Sequence, residues 1–317
     1  MSTNPKLVNP STGEPFRKWS DPILLRPEWI KIRNIESKNK EWLKNLMRSK
    51  KLHTVCEEAH CPNLAECWAF KTATFMIMGD ICTRHCGFCA VKKGVGLALD
   101  PNEPLNIAEA VKRMELRHAV VTSVNRDELQ DGGATHFARV IRKIRRLKPD
   151  CAIEVLIPDF CGDPDALQIV LDEEPEILNH NLETVSYLYA RVRPDANYQQ
   201  SLTLIQRASK WSEGRKMLTK SGLMVGLGET DEMLLETFQD LRDHGCNILT
   251  VGQYLRPTRK HLPIEKFYHP EEFAELKREA ERMGFKHVEA GPFVRSSYHA
   301  HEQSNSALTK GEENARS

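Results

Sequence analysis

The chain alternates β-branched segments with amphipathic helical segments along most of its length. His118–Val124 is rich in β-branched residues, which is typical of a strand buried in a parallel sheet, and Thr135–Leu147 places its apolar residues at helical spacing. Because parallel strands need helical crossovers, this repeat over 317 residues predicts an α/β fold. The length favours a partial (β/α)6 barrel of the TIM type over a compact doubly wound sheet. In such a barrel the functional site lies at the C-terminal ends of the strands.

The same pattern gives approximate positions for the elements. The predicted strands are Thr74–Met78, His118–Val124, Ala152–Ile157, Glu176–His180, Leu223–Leu227 and Asn247–Tyr254, with a further one at Phe285–Glu289. The predicted helices are Lys38–Leu52, Ile107–Leu116, Thr135–Leu147, Pro164–Leu171, Ser186–Val192 and His269–Met283, and one that follows an N-cap at Thr230 and ends at Gly245. We expect an N-terminal extension over residues 1–70, a barrel core over 71–265 and a C-terminal extension over 266–317, with a disordered polar tail from 303 to 317.

Composition excludes several classes of function. The 45 Lys and Arg residues balance 44 Asp and Glu residues, so there is no basic surplus of the kind that binds nucleic acid. No window approaches the roughly 18 uninterrupted apolar residues of a membrane span. The N-terminus lacks the apolar segment of a secretory signal, and we therefore expect a cytoplasmic protein with neither a nucleic acid nor a membrane as partner.

Six of the nine cysteines fall within 34 residues. Three of them, Cys82, Cys86 and Cys89, form a C-x3-C-x2-C motif in a loop directly after the first predicted barrel strand. Three such thiolates can hold three corners of a cubane iron–sulfur cluster and leave one iron open. A structural zinc site with His85 as the fourth ligand is the less favoured alternative, because the motif contains only one C-x2-C pair. Inert buried thiols are less favoured still, because polar residues separate these cysteines.

The other three, Cys56, Cys61 and Cys67, form a C-x4-C-x5-C motif that precedes the barrel. Three thiolates are too few for a structural zinc site, and the spacing is regular. This pattern suggests a second cluster whose remaining ligand is distant in sequence.

The second trio carries a resemblance. Cys82–Cys89 reads C-x3-C-x-aromatic-C after the first strand of a (β/α) pattern, and this motif closely resembles the radical S-adenosylmethionine (SAM) superfamily. The resemblance implies that SAM chelates the open iron and that an electron from the cluster cleaves SAM to a 5′-deoxyadenosyl radical. It also implies that Phe88 lies beside the adenine. The segment Gly222–Glu229, with Gly226, resembles the superfamily's glycine-containing strand, where backbone approaches the nucleoside.

Both trios together resemble the lipoyl synthase family. Four further stretches agree with that family: Glu57–Asn63, Val121–Asp127, Asn179–Val185 and Gly291–Tyr298. The resemblance covers about residues 40–300. It implies two 4Fe–4S clusters and SAM as cofactors, with Ser297 of the Arg-Ser-Ser-Tyr motif as fourth ligand of the auxiliary cluster; a hard alkoxide binds iron more weakly than a thiolate does. It further implies radical insertion of two sulfur atoms at C6 and C8 of an octanoyl chain, with sulfur supplied by the auxiliary cluster.

The same resemblance implies the partners. The octanoyl group is carried on a lysine of a lipoyl carrier domain, either of a dehydrogenase complex or of the glycine cleavage H protein. A low-potential electron donor and an iron–sulfur carrier that rebuilds the cluster are also expected. The basic face of Lys38–Lys51 could meet an acidic carrier, or it could simply be a solvated helix face.

Further candidates follow from position in the barrel. We predict that polar residues at the active face contact SAM, with Arg193 meeting its carboxylate. These candidates are Thr122, Ser123, Asn125, Glu154, Asn181 and Arg193. The scattered Cys151, Cys161 and Cys246 are expected to be packed thiols.

Two other functions compete with this interpretation. A methylthiotransferase would share the two clusters, but the chain lacks a basic RNA-binding domain at its C-terminal end. A zinc-stabilised binding module would not be an enzyme, and metal and sulfide analysis would distinguish it.

Overall fold

A computed structural model describes residues 8–31, 37–69 and 73–297. Tyr298 and the predicted polar tail, 303–317, lie outside the described residues. The described helices are α1 (Lys38–Ser49), α2 (Val55–Glu58), α3 (Leu64–Ala69), α4 (Glu103–Arg113), α5 (Ala134–Leu147), α6 (Pro164–Leu171), α7 (Tyr189–Val192), α8 (Tyr198–Ser212), α9 (Asp231–Asp243) and α10 (Pro270–Arg282). The described strands are β1 (His53–Thr54), β2 (Thr74–Ile77), β3 (Ile81–Cys82), β4 (Lys92–Lys93), β5 (His118–Ser123), β6 (Ala152–Leu156), β7 (Ile177–Asn179), β8 (Leu218–Val225), β9 (Ile248–Gln253) and β10 (His287–Gly291).

One sheet organises the molecule, in the order β1-β2-β5-β6-β7-β8-β9-β10. The short β1 pairs antiparallel with β2, and all the other neighbours in this sheet are parallel. No pairing closes β10 onto β1 among the described residues, so the barrel is partial. The predicted α/β fold with a partial barrel is confirmed. The seventh parallel strand suggested near Phe285 is also present, and it extends the same sheet beyond β9.

Local sequence explains the helix ends that were predicted well. Thr230 caps α9 by accepting a hydrogen bond from the backbone N–H of Met233, and Gly245 follows the helix with a φ of +80°. The helix α10 begins with Pro270 after the N-cap residue His269, and Glu272 completes a capping box.

Two of the longer elements show the largest differences from the predictions. The 15-residue helix α8 was not predicted, because its buried stripe includes Ser201 and Ala208 and is bounded by polar residues. Strand β8 begins at Leu218, five residues before the predicted Leu223, because Lys220 and Ser221 are polar yet fully buried in the sheet. A polar residue inside the barrel removes the apolar run by which a buried strand is recognised.

Candidate active site

A cavity of about 320 Å³ opens at the C-terminal ends of the parallel strands. This volume lies in the range of sites that enclose small-molecule ligands. Five of the six clustered cysteines line the cavity: Cys56, Cys61, Cys82, Cys86 and Cys89. The two sequence motifs, which lie in separate segments before and after β2, therefore face one common space.

The loop that carries Cys82, Cys86 and Cys89 is fixed to the barrel by its backbone. Gly87 donates a hydrogen bond to the carbonyl of Val192 at 2.9 Å and accepts one from the N–H of Leu262 at 3.0 Å. The backbone N–H of Asn125, after β5, points at the sulfur of Cys82 at 3.3 Å. Burial raises the pKa of Cys86 to about 11, although Arg193 opposes the rise, so iron must displace a proton to bind this sulfur.

Arg84, inside the same loop, joins it to the segments that follow β5 and β6. Its guanidinium donates to both carboxylate oxygens of Asp127 at 2.8 and 3.0 Å, and to both oxygens of Asp159 at 2.8 and 2.5 Å. Arg84 and Asp159 are almost completely buried. Burial would raise the pKa of Asp159, but Arg84 overcomes this effect and lowers that pKa to about 2. Sequence reasoning did not single out this network, since its members are distant along the chain.

The first trio lies beside β2, with Cys56 in α2, Cys67 in α3 and Cys61 in the turn between these two short helices. The N–H of Cys61 donates to the carbonyl of Cys56 at 3.1 Å, and the amide of Asn63 donates to the carbonyl of Phe293 at 2.7 Å. Burial raises the pKa of Cys56 and of Cys67 to about 12, and the neighbouring thiols contribute to both rises. Cys67 therefore lies with the other two cysteines, although it is not part of the cavity lining.

The two serines of the Arg-Ser-Ser-Tyr motif have different partners. The hydroxyl of Thr74, at the start of β2, donates to the oxygen of Ser297 at 2.7 Å. The backbone of Thr74 also hydrogen-bonds the Cys56 thiol, so Ser297 is placed beside the first trio. Ser296 instead accepts a hydrogen bond from the amide of Asn181 at 2.8 Å.

The positions of the ligand atoms bear on the zinc alternative. Zn–S bonds of about 2.3 Å in a tetrahedron bring thiolates to roughly 3.8 Å of one another. Within residues 8–31, 37–69 and 73–297, only His53, Glu58 and Asp80 place three metal-binding atoms within 4.8 Å of one another, and no cysteine belongs to that group. Among the described residues, neither trio therefore has the close sulfur spacing of a preformed single-zinc site. His85, the candidate fourth zinc ligand, is largely exposed and pairs with Asp195 at 3.1 Å.

Six of the predicted SAM-contacting residues line the same cavity: Phe88, Thr122, Ser123, Asn125, Asn181 and Arg193. Arg193 donates from Nη1 to the carbonyl of Asn181 at 2.9 Å, which fixes the guanidinium in place. Within the described part of the chain, its buried Nε and the buried hydroxyl of Ser123 have no hydrogen-bond partner. Unpartnered buried donors are costly unless a ligand satisfies them. This observation fits a polar cofactor with a carboxylate, such as SAM.

The structure does not place Glu154 in the cavity lining. Its carboxylate lies deeper in the barrel, 2.9 Å from the ammonium of Lys220 and 3.2 Å from the imidazole of His118. Burial would raise the pKa of Glu154, but Lys220 and His118 lower it to about 2. The contact of Glu154 with SAM stays a prediction that this geometry does not support, because its oxygens are bound by Lys220 and His118 inside the barrel.

The structure also corrects the glycine assignment. Gly226 does not line the cavity; a Cβ there would lie 2.3 Å from Gln253 and 2.4 Å from the carbonyl of Lys266, so its small size serves packing. Gly222 and Gly252 do line the cavity. A Cβ on Gly252 would lie 2.1 Å from the carbonyl of Val294, so this glycine admits the segment that leads to Ser297.

Two charged residues of the cavity were quoted in motifs but not singled out. Glu183 has a φ of +67°, and burial raises the pKa of its carboxyl against the opposing effect of Arg193. Burial lowers the pKa of Arg295, while Cys61 and Glu183 oppose the change. Arg295 is therefore the cation between the first trio and Glu183. In the sequence, the only indication that Glu183 and Arg295 belong to the site was their position beside Asn181 and Ser296.

Comparison with known proteins agrees with this site. The Radical SAM superfamily model matches residues 76–241. A lipoyl synthase of Rubrobacter xylanophilus is 57% identical over 89% of this chain and 87% of its own length. A lipoyl synthase of Symbiobacterium thermophilum is 56% identical over 93% of this chain and 92% of its own. The chain belongs to the lipoyl synthase family. The enzyme class and the cofactors expected from the sequence, SAM and 4Fe–4S clusters, are thereby confirmed.

Solved structures support the fold alone, since their sequences are distant. Streptococcus suis SuiB bound to S-adenosylmethionine has a TM-score of 0.52 at 12% identity and covers 81% of this chain and 57% of its own. HydG, a maturase of the [FeFe]-hydrogenase, has a TM-score of 0.51 at 14% identity and covers 86% of this chain and 65% of its own. Over the described residues, no helix combines the length and the apolar character needed to cross a membrane.

Proposed function

We propose that this chain is a lipoyl synthase whose cavity inserts two sulfur atoms, at C6 and C8, into a protein-bound octanoyl group. The observation that carries the proposal is that cysteines of both trios line one cavity. Sulfur insertion at an unactivated carbon needs a radical source and a sulfur source close to the same carbon atom. A protein with two distant clusters could not bring both to one substrate chain.

In this proposal Cys82, Cys86 and Cys89 hold the radical SAM cluster, and Cys56, Cys61, Cys67 and Ser297 hold the auxiliary 4Fe–4S cluster. When bound, the first cluster with SAM supplies the hydrogen-abstracting radical, and the second supplies sulfur. The contact of Ser297 with Thr74, beside Cys56, supports Ser297 rather than Ser296 as the fourth ligand.

The protein's own residues orient the cofactor and protect the reaction. Arg193 offers its free Nε to a carboxylate, and the hydroxyl of Ser123 offers a second donor. Phe88 provides a flat apolar surface in the same cavity for the adenine. Arg84 holds the cluster loop against the barrel through the buried carboxylate of Asp159 and the more exposed carboxylate of Asp127. The partly enclosed cavity keeps water away from the radical and so limits side reactions.

The substrate of this family is carried by a protein, so a partner must reach the cavity. We infer that the partner is a lipoyl carrier domain of a dehydrogenase complex or the glycine cleavage H protein. A low-potential electron donor and an iron–sulfur carrier complete the set of partners, and the protein acts in the cytoplasm.

The test compares two cysteine variants under anaerobic conditions. Cys86→Ala removes one ligand of the radical SAM cluster and should abolish 5′-deoxyadenosine formation. Cys61→Ala should retain some SAM cleavage but give no sulfur-containing product from an octanoylated carrier, measured by mass spectrometry. Cys246→Ala is the matched control, because Cys246 is buried away from the cavity. Equal loss of SAM cleavage in both ligand variants, with the remaining cluster intact, would contradict the division of roles.

A further inference from the structure

A short segment beside the cavity exposes apolar side chains although its backbone is firmly held. Val95 is 73% exposed and Leu97 is 80% exposed. They follow β4, whose residue Lys93 lines the cavity. The segment therefore continues directly from the cavity lining at Lys93, next to the loop of Cys82, although neither apolar side chain is itself part of that lining.

Hydrogen bonds hold the backbone of this segment in place. The N–H of Gly94 donates to the carbonyl of Cys82 at 2.9 Å, and the buried guanidinium of Arg126 donates to the carbonyl of Leu97 at 2.7 Å. A Cβ at Gly96 would lie 2.6 Å from the same guanidinium, so only glycine permits this approach. A loop held this closely presents Val95 and Leu97 in a fixed position, as a protein-binding surface requires.

The loop Arg256–His261 lies on the same rim. Leu255 and Pro257 line the cavity with Lys93, and the imidazole of His261 contacts the carbonyl of Cys89 at 3.2 Å. Arg256 donates to the carbonyl of Trp19 at 3.5 Å, and Trp19 is itself 53% exposed. The rim therefore combines apolar and basic groups on both of its sides.

The charge of the rim is positive. Within residues 8–31, 37–69 and 73–297, Lys93, Arg256, Arg259 and Lys260 form no salt bridge with a carboxylate. Lys92 is the exception, since it pairs with Asp80 at 2.5 Å. Cations without a carboxylate partner around an apolar centre are complementary to a protein surface that is acidic at its edge.

We propose that Lys92–Leu97 and Arg256–His261, here called the rim surface, dock an acidic protein domain that carries the octanoyl chain on a lysine. The proposal rests on the proposed function, because only a protein-bound chain obliges a second protein to contact the mouth. The basic face of α1 is the competing surface. None of the residues of α1 lines the cavity, and Lys50, which follows it, pairs with Glu109.

The experiment compares two substrates with the reconstituted holoenzyme: a folded, octanoylated carrier domain and a short octanoyl-lysine peptide. The variants are Val95→Ser with Leu97→Ser, and Arg259→Glu with Lys260→Glu; the altered apolar and charged side chains are exposed. Each pair should raise KM for the domain by about tenfold, the scale of an interface hot spot. KM for the peptide should change by less than about twofold, because a peptide does not reach the rim surface.

Lys40→Glu with Lys44→Glu on α1 is the matched control and should leave both KM values unchanged. Added salt should weaken the domain's binding to the wild type more than to the Arg259→Glu, Lys260→Glu enzyme. The docking proposal is overturned if the rim variants keep the wild-type KM for the domain. It is also overturned if their KM for the peptide rises as much as that for the domain, or if the α1 variant raises KM for the domain instead. Absence of product from both substrates with the wild-type enzyme would instead overturn the proposed function, and the docking proposal with it.

Discussion

Replacing Arg84 by Gln tests whether the cluster loop depends on its buried contacts with the barrel. The change removes a cation that bonds two carboxylates and leaves Asp159, whose side chain has no exposure, without its charged partner. Removing one member of a buried ion pair costs about 3–5 kcal/mol. For a chain of 317 residues this corresponds to a fall of roughly 5–8 °C in the melting temperature.

The substitution should also weaken cluster binding by the loop that contains Arg84. Arg84 lies between Cys82 and Cys86 in the sequence, so a loop released from Asp127 and Asp159 should bind its cluster poorly. After anaerobic reconstitution, iron should fall from about eight to about four atoms per chain, because the other trio is untouched. SAM cleavage should fall with it.

The assay combines thermal unfolding of the iron-free protein with iron and sulfide analysis of the reconstituted protein. Arg282→Gln is the control, since its ion pair with Glu279 is on the surface and contributes about 0.5 kcal/mol or less. An Arg84→Gln protein that melts with the wild type and binds all its iron would refute the reasoning.

Three further predictions concern the cavity and the barrel interior. Ser297→Ala should leave SAM cleavage detectable but stop sulfur insertion, whereas Ser296→Ala should be much milder; wild-type product yield from Ser297→Ala would remove this residue from the site. Gly252→Ala should displace the segment that leads to the serines, since its Cβ would lie 2.1 Å from a backbone oxygen, and the iron content should fall. Gly291→Ala, whose Cβ would have its nearest contact at 3.4 Å, should leave the iron content unchanged. Because the pKa of Glu154 is lowered in the folded state, its ionised carboxylate stabilises the fold fully above the usual pKa of 4.5. This contribution, on the order of 3 kcal/mol, is lost as pH falls towards about 2. Glu154→Gln should therefore flatten the dependence of the urea midpoint on pH over that range.

The sequence predicted the fold where burial follows local pattern. Strands such as β5 are recognisable because they are β-branched and flanked by helices with clear caps. The helix α8 and the first half of β8 were missed because polar residues, among them Ser201 and Lys220, are buried there. Burial of a polar side chain depends on partners elsewhere in the chain, such as Glu154 for Lys220, and local pattern does not show them.

The site residues also differ in how well local sequence predicted them. Spacing alone identified the two trios, because the three cysteines of each are close together in the sequence. Family resemblance, and no physical feature of the segment, pointed to Ser297. The sequence of β6 did not show how deep Glu154 lies in the barrel, because that depth depends on register across the sheet. Gly226 was chosen over Gly222 because the approach of a distant segment cannot be inferred from the strand itself.

The most direct test of the central claim is to follow sulfur from the auxiliary site into the product. The enzyme is reconstituted with isotopically heavy sulfide, separated from free sulfide and mixed anaerobically with SAM, a reductant and an octanoylated carrier peptide. The mass of the peptide after one turnover should show both inserted sulfur atoms as the heavy isotope, and Cys61→Ala should give no such product. A dithiolated product without the heavy isotope, or a Cys61→Ala enzyme that still forms it, would contradict the account.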